Sequence, residues 1–284
     1  MEWEEKMNTL TNRVCNLALS ATPILNIPDP PSAIPIGCGI YLKVGSDYFL
    51  LSAGHLLNLE DWPKIIAPGN GTTMTFLNGT IATTFENSQS KDVIDFAVLK
   101  FAKRQIKHLI NGRFEFIEIQ NIMINHKVDP KGYYVIAGYP VSGVKKKAGK
   151  ALFNPIPVKF ITYSLKASKY SKYNFDPEHF ILVKYQRKVV PFGSKEKQIT
   201  KELQGISGSG LWYIPDMNDR VEGIPKLFLV GIMTENHKEK GFLAALKIDF
   251  ATQVIREIFN HKEIEESKFK EVKDPNTIFC AHID

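Results

Sequence analysis

The 284-residue chain carries 44% hydrophobic and 23% charged residues and a formal net charge of +6, a balance that supports a sizeable core and argues against a disordered body. Its three cysteines, Cys15, Cys38 and Cys280, are too scattered for a disulfide framework or a CxxC metal pair. No stretch approaches the ~18 apolar residues of a membrane span. The acidic start "MEWEEKMNTL" also lacks the basic region and apolar run of a secretory leader, so a reducing cytoplasm is the expected setting.

Residues 3–25 place Trp3, Met7, Leu10, Val14, Leu17 and Leu19 at roughly helical spacing and predict an amphipathic helix. "NIPDPPSAIP" (Asn26–Pro35) then forbids helix, because proline lacks an amide hydrogen and biases its predecessor to extended geometry. From Ile36 the texture changes to short strands and turns. "IGCGIYLKV", "GSD" and "YFLLSAGHLL" predict a hairpin that ends in a short helical turn. "GTTMTFLNGTIATTFEN" predicts two strands joined across Asn78-Gly79, since Asn-Gly is a strong hairpin signal.

Further strands are expected at "DFAVLKF" (Asp95–Phe101), "FEFIEI" (Phe114–Ile119), "GYYVIAGYP" (Gly132–Pro140) and "PVKFITYSL" (Pro157–Leu165). "FILVKYQ" (Phe180–Gln186), "GLWYIP" (Gly210–Pro215) and "LFLVGIMTE" (Leu227–Glu235) follow. Many short strands with Gly, Pro and Asn turns imply an all-β sandwich or barrel, and two barrels with a seam near 120–131 fit the length. Leu246–Ile264 predicts a helix with Asp249 as its cap; a polar tail with an apolar knot at Ile278–Cys280 follows.

Three short segments carry possible chemistry. In "LQGISGSGLW" (Leu203–Trp212), Gly205 and Gly208 allow unusual backbone angles around Ser207. Such a turn can aim the N–H groups of Gly205 and Ser207 at one point beside the Ser207 hydroxyl; an ordinary Gly/Ser turn between strands is the competing explanation. His55 follows an apolar strand and the small residues Ser52-Ala53-Gly54, as either a structural histidine or a base. Asp95 opens an apolar strand, where a carboxylate needs a partner; it either caps a turn or orients a histidine. Nucleophile, base and orienter are what acyl transfer demands.

The blocks "SAGH", "DFAVLK" and "GISGSG", in that order, resemble the signature blocks of trypsin-like (chymotrypsin-fold, S1-type) serine proteases over roughly residues 34–260. The similarity is greatest to the disulfide-free bacterial branch that includes the HtrA-type protease domains. It implies two packed six-stranded antiparallel β-barrels with an N-terminal helical arm and a C-terminal helix. The expected divisions are 1–33 (helix and Pro-rich linker), 34–128 (first barrel, with His55 and Asp95), 129–246 (second barrel, with Ser207) and 247–284 (helix and tail). Ser207 becomes the nucleophile, His55 the general base and acid, Asp95 its orienter, and the amides of Gly205 and Ser207 the oxyanion hole.

Thr234 stands where the family has a serine that hydrogen-bonds near the aspartate. Ile206 replaces the aspartate that pairs with a new N-terminus in zymogen activation, which implies no activation of that kind. Lys201 would floor the first specificity pocket and favour an acidic side chain, neighbouring Glu202 favours the opposite sign, and Glu235 stands for the pocket wall.

The function implied is an intracellular serine endopeptidase that needs no cofactor or metal, acts on a protein or peptide, and takes its activating signal from a partner protein in a bacterial regulatory or defence system. The alternative is a catalytically silent protease-fold module used for binding. No membrane association is expected. A basic nucleic-acid-binding barrel, suggested by "VKKKAGK" (Val144–Lys150) and by lysines interleaved with Tyr170, Tyr173, Phe175 and Phe180, lacks any accompanying recognition motif.

Overall fold

The computed structural model describes residues 3–28, 33–57, 64–69, 74–84, 94–110, 114–141, 157–185, 188–189, 198–199, 203–215, 226–269 and 278–283. Helix α1 (Trp3–Ser20) buries Leu10 and Val14 against the core. It stops short of the predicted end because Pro23 pushes Thr22 towards extended geometry, and Ala21–Asn26 forms strand β1 instead.

In chain order, β2 (Ile34–Val44), β3 (Asp47–Ser52), β4 (Ile65–Pro68), β5 (Met74–Phe76), β6 (Gly79–Thr84), β7 (Ala97–Phe101) and β8 (Ile117–Glu118) follow. With β17 (Ile278–Ile283) they build a nine-stranded sheet ordered β17-β6-β7-β3-β2-β1-β4-β5, with β8 parallel to β2. Helix α2 (Lys103–Ile110) sits after β7. The hairpin predicted across Asn78-Gly79 does not form: β5 pairs with β4, whereas β6 pairs with β7 and β17. Gly79 serves a close approach, since a Cβ there would lie 1.9 Å from the Lys100 carbonyl oxygen.

The second sheet runs β10 (Val158–Tyr163), β9 (Tyr133–Gly138), β14 (Gly210–Ile214), β15 (Phe228–His237), β16 (Phe242–Lys247), β11 (Phe180–Lys184). Its outer strands meet at one antiparallel bridge, Ser164 to Val183, beside a 2.7 Å bond from Leu165 N–H to Leu182 O. Strands β12 (Lys188–Val189) and β13 (Gln198–Ile199) pair separately, and α3 (Ser168–Tyr173) precedes β11. Each predicted strand of this half is present, and the first sheet is larger than a six-stranded barrel because β1, β8 and β17 join it.

One apolar core unites both sheets: Ile40, Leu42 and Phe49 from the first pack with Val135, Leu229 and Leu246 from the second. Helix α4 (Asp249–Glu257) contributes Phe250 and Val254. Tyr170 and Phe180 are buried, and Tyr173 stacks on Phe242, so these aromatics fill the core and its rim. Val144–Lys150 lies outside the described residues.

Asp47, at the β2–β3 turn, receives Lys100 and the Nε2 of His261 at 2.9 Å, while His261 Nδ1 lies 2.8 Å from Glu263. Burial acts to raise the Asp47 carboxyl, but the hydrogen bonds from Lys100 and His261 outweigh it and hold the group below its ordinary value. A carboxyl depressed on folding contributes stability above its unfolded pKa and loses it as pH falls through the folded value. Asp47→Asn is therefore expected to be less stable than wild type at pH 7, with the deficit closing below about pH 4. Urea unfolding at pH 7 and pH 3 checks this, and a deficit independent of pH contradicts it.

Candidate active site

The sheets meet where β2 crosses the loop before β14. Cys38 N–H donates to Ser207 O at 2.8 Å, and Ser52 Oγ donates to Cys38 O at 2.7 Å. Three residues beyond Ser52, the single helical turn Gly54–Leu56 presents His55. The small residue at 54 is required: a Cβ there would lie 2.8 Å from Asp95 Oδ1 and 3.0 Å from Phe96 O. Asp95 is thereby seated against the turn. Its Oδ1 accepts the His55 backbone N–H at 2.9 Å and its Oδ2 faces the ring Nδ1 at 2.6 Å. This double grip fixes the ring in place and assigns the Nδ1 proton to the carboxylate side, which leaves Nε2 as the acceptor of a neutral imidazole. The His55 side chain is 36% exposed and that of Asp95 19%.

Around Ser207 the chain makes two consecutive turns. Ile206 N–H bonds to Leu203 O at 3.1 Å and Ser209 N–H to Ile206 O at 3.0 Å. The third residue of each turn has positive φ, +78° at Gly205 and +82° at Gly208, so both are type II turns, which call for glycine there. The three-residue glycine spacing follows from stacking the two turns.

The orientation of the Gln204–Gly205 peptide follows as well. Val141 N–H donates to Gln204 O at 2.8 Å, so the Gly205 N–H, trans across the same peptide, points the other way. Among the described residues, neither the Gly205 nor the Ser207 N–H has a hydrogen-bond partner. Two unpartnered amides beside a serine can donate to a developing oxyanion. Ser207 Oγ donates to Thr234 O at 3.3 Å, its one hydrogen bond among the described residues.

Two supporting residues escaped sequence reading. Val141 orients the peptide just described. Cys38 is fully buried, with Sγ 3.4 Å from both Tyr139 O and Gly205 O, and it accepts the Tyr139 N–H at 3.1 Å. Burial pushes its thiol up to about 12, against a smaller lowering from the Tyr139 backbone. Cys38 is thus a protonated brace and no rival nucleophile. Its place between Gly37 and Gly39 was the available signal: a Cβ at Gly37 would lie 2.3 Å from Leu56 and 3.0 Å from Ser207 O.

Thr234 departs from expectation. At the bulge between Met233 and Glu235, its hydroxyl turns to Ala244 O at 3.4 Å, while the hydrogen bonds that Asp95 receives among the described residues come from His55. Ile206 is buried in the apolar cluster with Leu203 and Met233, so packing occupies the place of an ion pair. Glu235 is exposed and lies 2.7 Å from His237, whose ring stacks on Phe242. Lys201 and Glu202 lie outside the described residues.

The two-sheet architecture with this seam defines a trypsin-like fold. No family model and no curated protein matches the chain. Among solved structures it is similar to the scabies mite inactivated protease paralogue S-D1, with a TM-score of 0.53 at 11% identity, over 88% of this chain and 95% of that one. At that identity the likeness establishes the fold alone.

Proposed function

We propose that this chain is a serine endopeptidase working through Ser207, His55 and Asp95. The double grip of Asp95 on His55 is the observation that carries the proposal, because it supplies an oriented base. Ser207 Oγ turns from Thr234 O to His55, gives its proton to Nε2 and attacks the substrate carbonyl carbon. The oxyanion is received by the Gly205 and Ser207 amides. Collapse breaks the C–N bond, and the departing amine takes the proton from His55. A water, deprotonated in turn by His55, then hydrolyses the acyl ester and restores Ser207.

Substrate has a strand to lean on. The pairing of β14 with β15 ends at Ile232, so beyond Met233 one edge of β15 carries no strand among the described residues. An extended peptide can add there through main-chain hydrogen bonds. Free thiols at Cys38 and Cys280 support an intracellular setting of the disulfide-free kind. The unpartnered amides support a formed hole, and the Ser207–Thr234 bond supports a resting nucleophile that an activating protein would release.

That same bond favours the second explanation, a silent binding module. Fluorophosphonate labelling separates them. The expected result is label on wild type and none on Ser207→Ala or His55→Ala. Absence of label on wild type, alone and with added lysate, sinks the endopeptidase proposal in favour of the silent module.

A further inference from the structure

A cavity of about 440 Å³ opens between the inter-sheet connector Asn125–Pro130, the α3 region and the segment that follows α4. None of His55, Asp95, Ser207 or their supporting residues lines it. Its volume falls within the roughly 300–1,000 Å³ usual for small-molecule sites.

One wall is the end of β16, where Lys247 is only 8% exposed. An ammonium so placed needs partners for its three N–H donors. Its Nζ has none within hydrogen-bond or ion-pair distance among the described residues, yet it is not sealed from solvent, so it opens to the cavity. Asp249, two residues on, does not serve: one oxygen takes the Asn125 N–H at 2.7 Å and the other has no partner. Burial lowers Lys247 from its ordinary value, while the fields of Glu178, Asp249 and Asp176 act to keep it charged. His126, on the same wall, adds no further positive charge, because burial and then the field of Lys247 bring its imidazole down to about 4.

Half of the lining is apolar or aromatic, Leu165, Tyr170, Val128 and Phe269 among it, while Lys127 and Lys268 add positive charge beside the carboxyl groups of Glu178 and Asp249. We propose that this cavity binds a small organic anion, an acid group on an apolar body, with the Lys247 ammonium as its counter-ion. The acid group takes the place of solvent at the Lys247 ammonium, and the apolar body covers Leu165, Tyr170 and Phe269. This site is independent of any activity at Ser207.

Anilinonaphthalene sulfonate, a fluorescent anion with an apolar body, tests the proposal, beside the uncharged phenylnaphthylamine that lacks the sulfonate. Saturable one-site binding of the anion to the whole protein is expected. Lys247→Met should weaken it at least tenfold and leave the uncharged dye unaffected. Ala167→Trp, at an exposed position on the rim, should weaken both dyes by blocking the entrance. No saturable binding, or equal anion affinity in wild type and Lys247→Met, overturns the proposal. Should Lys247→Met fail to fold, undiminished anion binding by Ala167→Trp overturns it alone.

Discussion

Asp95→Asn is expected to slow the reaction of Ser207 by about four orders of magnitude with the fold intact. Both carboxylate oxygens of Asp95 are acceptors: Oδ1 takes the His55 backbone N–H at 2.9 Å and Oδ2 faces Nδ1 at 2.6 Å. An amide has one oxygen to offer. The backbone N–H cannot change its character, so the asparagine oxygen stays with it and the NH₂ faces the ring. Nδ1 must then become an acceptor, and the ring proton moves to Nε2. A ring protonated there cannot take the hydroxyl proton from Ser207. The fluorophosphonate labelling rate at pH 7 checks this, alongside the melting temperature. A rate within tenfold of wild type at unchanged stability would mean that Asp95 does not govern the base.

Gly208→Ala is expected to cost roughly 3–5 kcal/mol of stability. Two causes add. The backbone at 208 has φ +82°, a conformation that costs an L-residue about 1–2 kcal/mol. The new Cβ would also stand 1.9 Å from Cys38 O and 2.5 Å from Ser52 Oγ. Both belong to the first sheet, Cys38 on β2 and Ser52 on β3, so neither can yield without breaking the seam. Gly205→Ala meets mainly the side chain of Val141, at 2.3 Å, and should cost less. Denaturant unfolding of the two variants ranks them, and a Gly208→Ala protein within 1 kcal/mol of wild type would show that the loop has room to move.

Much of the site was legible because its demands are local. Gly205 and Gly208 mark a turn with unusual backbone angles around Ser207, small residues before His55 leave its imidazole open to approach from one side, and an acidic residue opening an apolar strand asks for a partner. The first hairpin was equally plain, with Gly45 at φ +55° between β2 and β3. What stayed hidden is set by distant neighbours. Asn78-Gly79 reads as a hairpin turn, yet Gly79 answers to the Lys100 backbone on β7. Asp249 reads as a helix cap, yet its carboxylate bonds to the Asn125 amide on the connector. Thr234 keeps a hydroxyl, but a β-bulge decides where it points. Helices α2 and α3 are too short for periodicity to announce them.

Strand β17 has a consequence for how the protein is made. It covers β6 in register from Ile278–Thr84 to Ile283–Gly79, and the pair Thr80–His282 is 202 positions apart. During synthesis at about 5–20 residues per second, that edge of β6 waits on the order of 10–40 s for its partner to emerge. Until then it is an open row of backbone donors and acceptors on an otherwise finished sheet, which invites pairing with a neighbouring nascent chain. Slow, crowded translation should therefore penalise this fold more than the stability of the completed molecule would suggest.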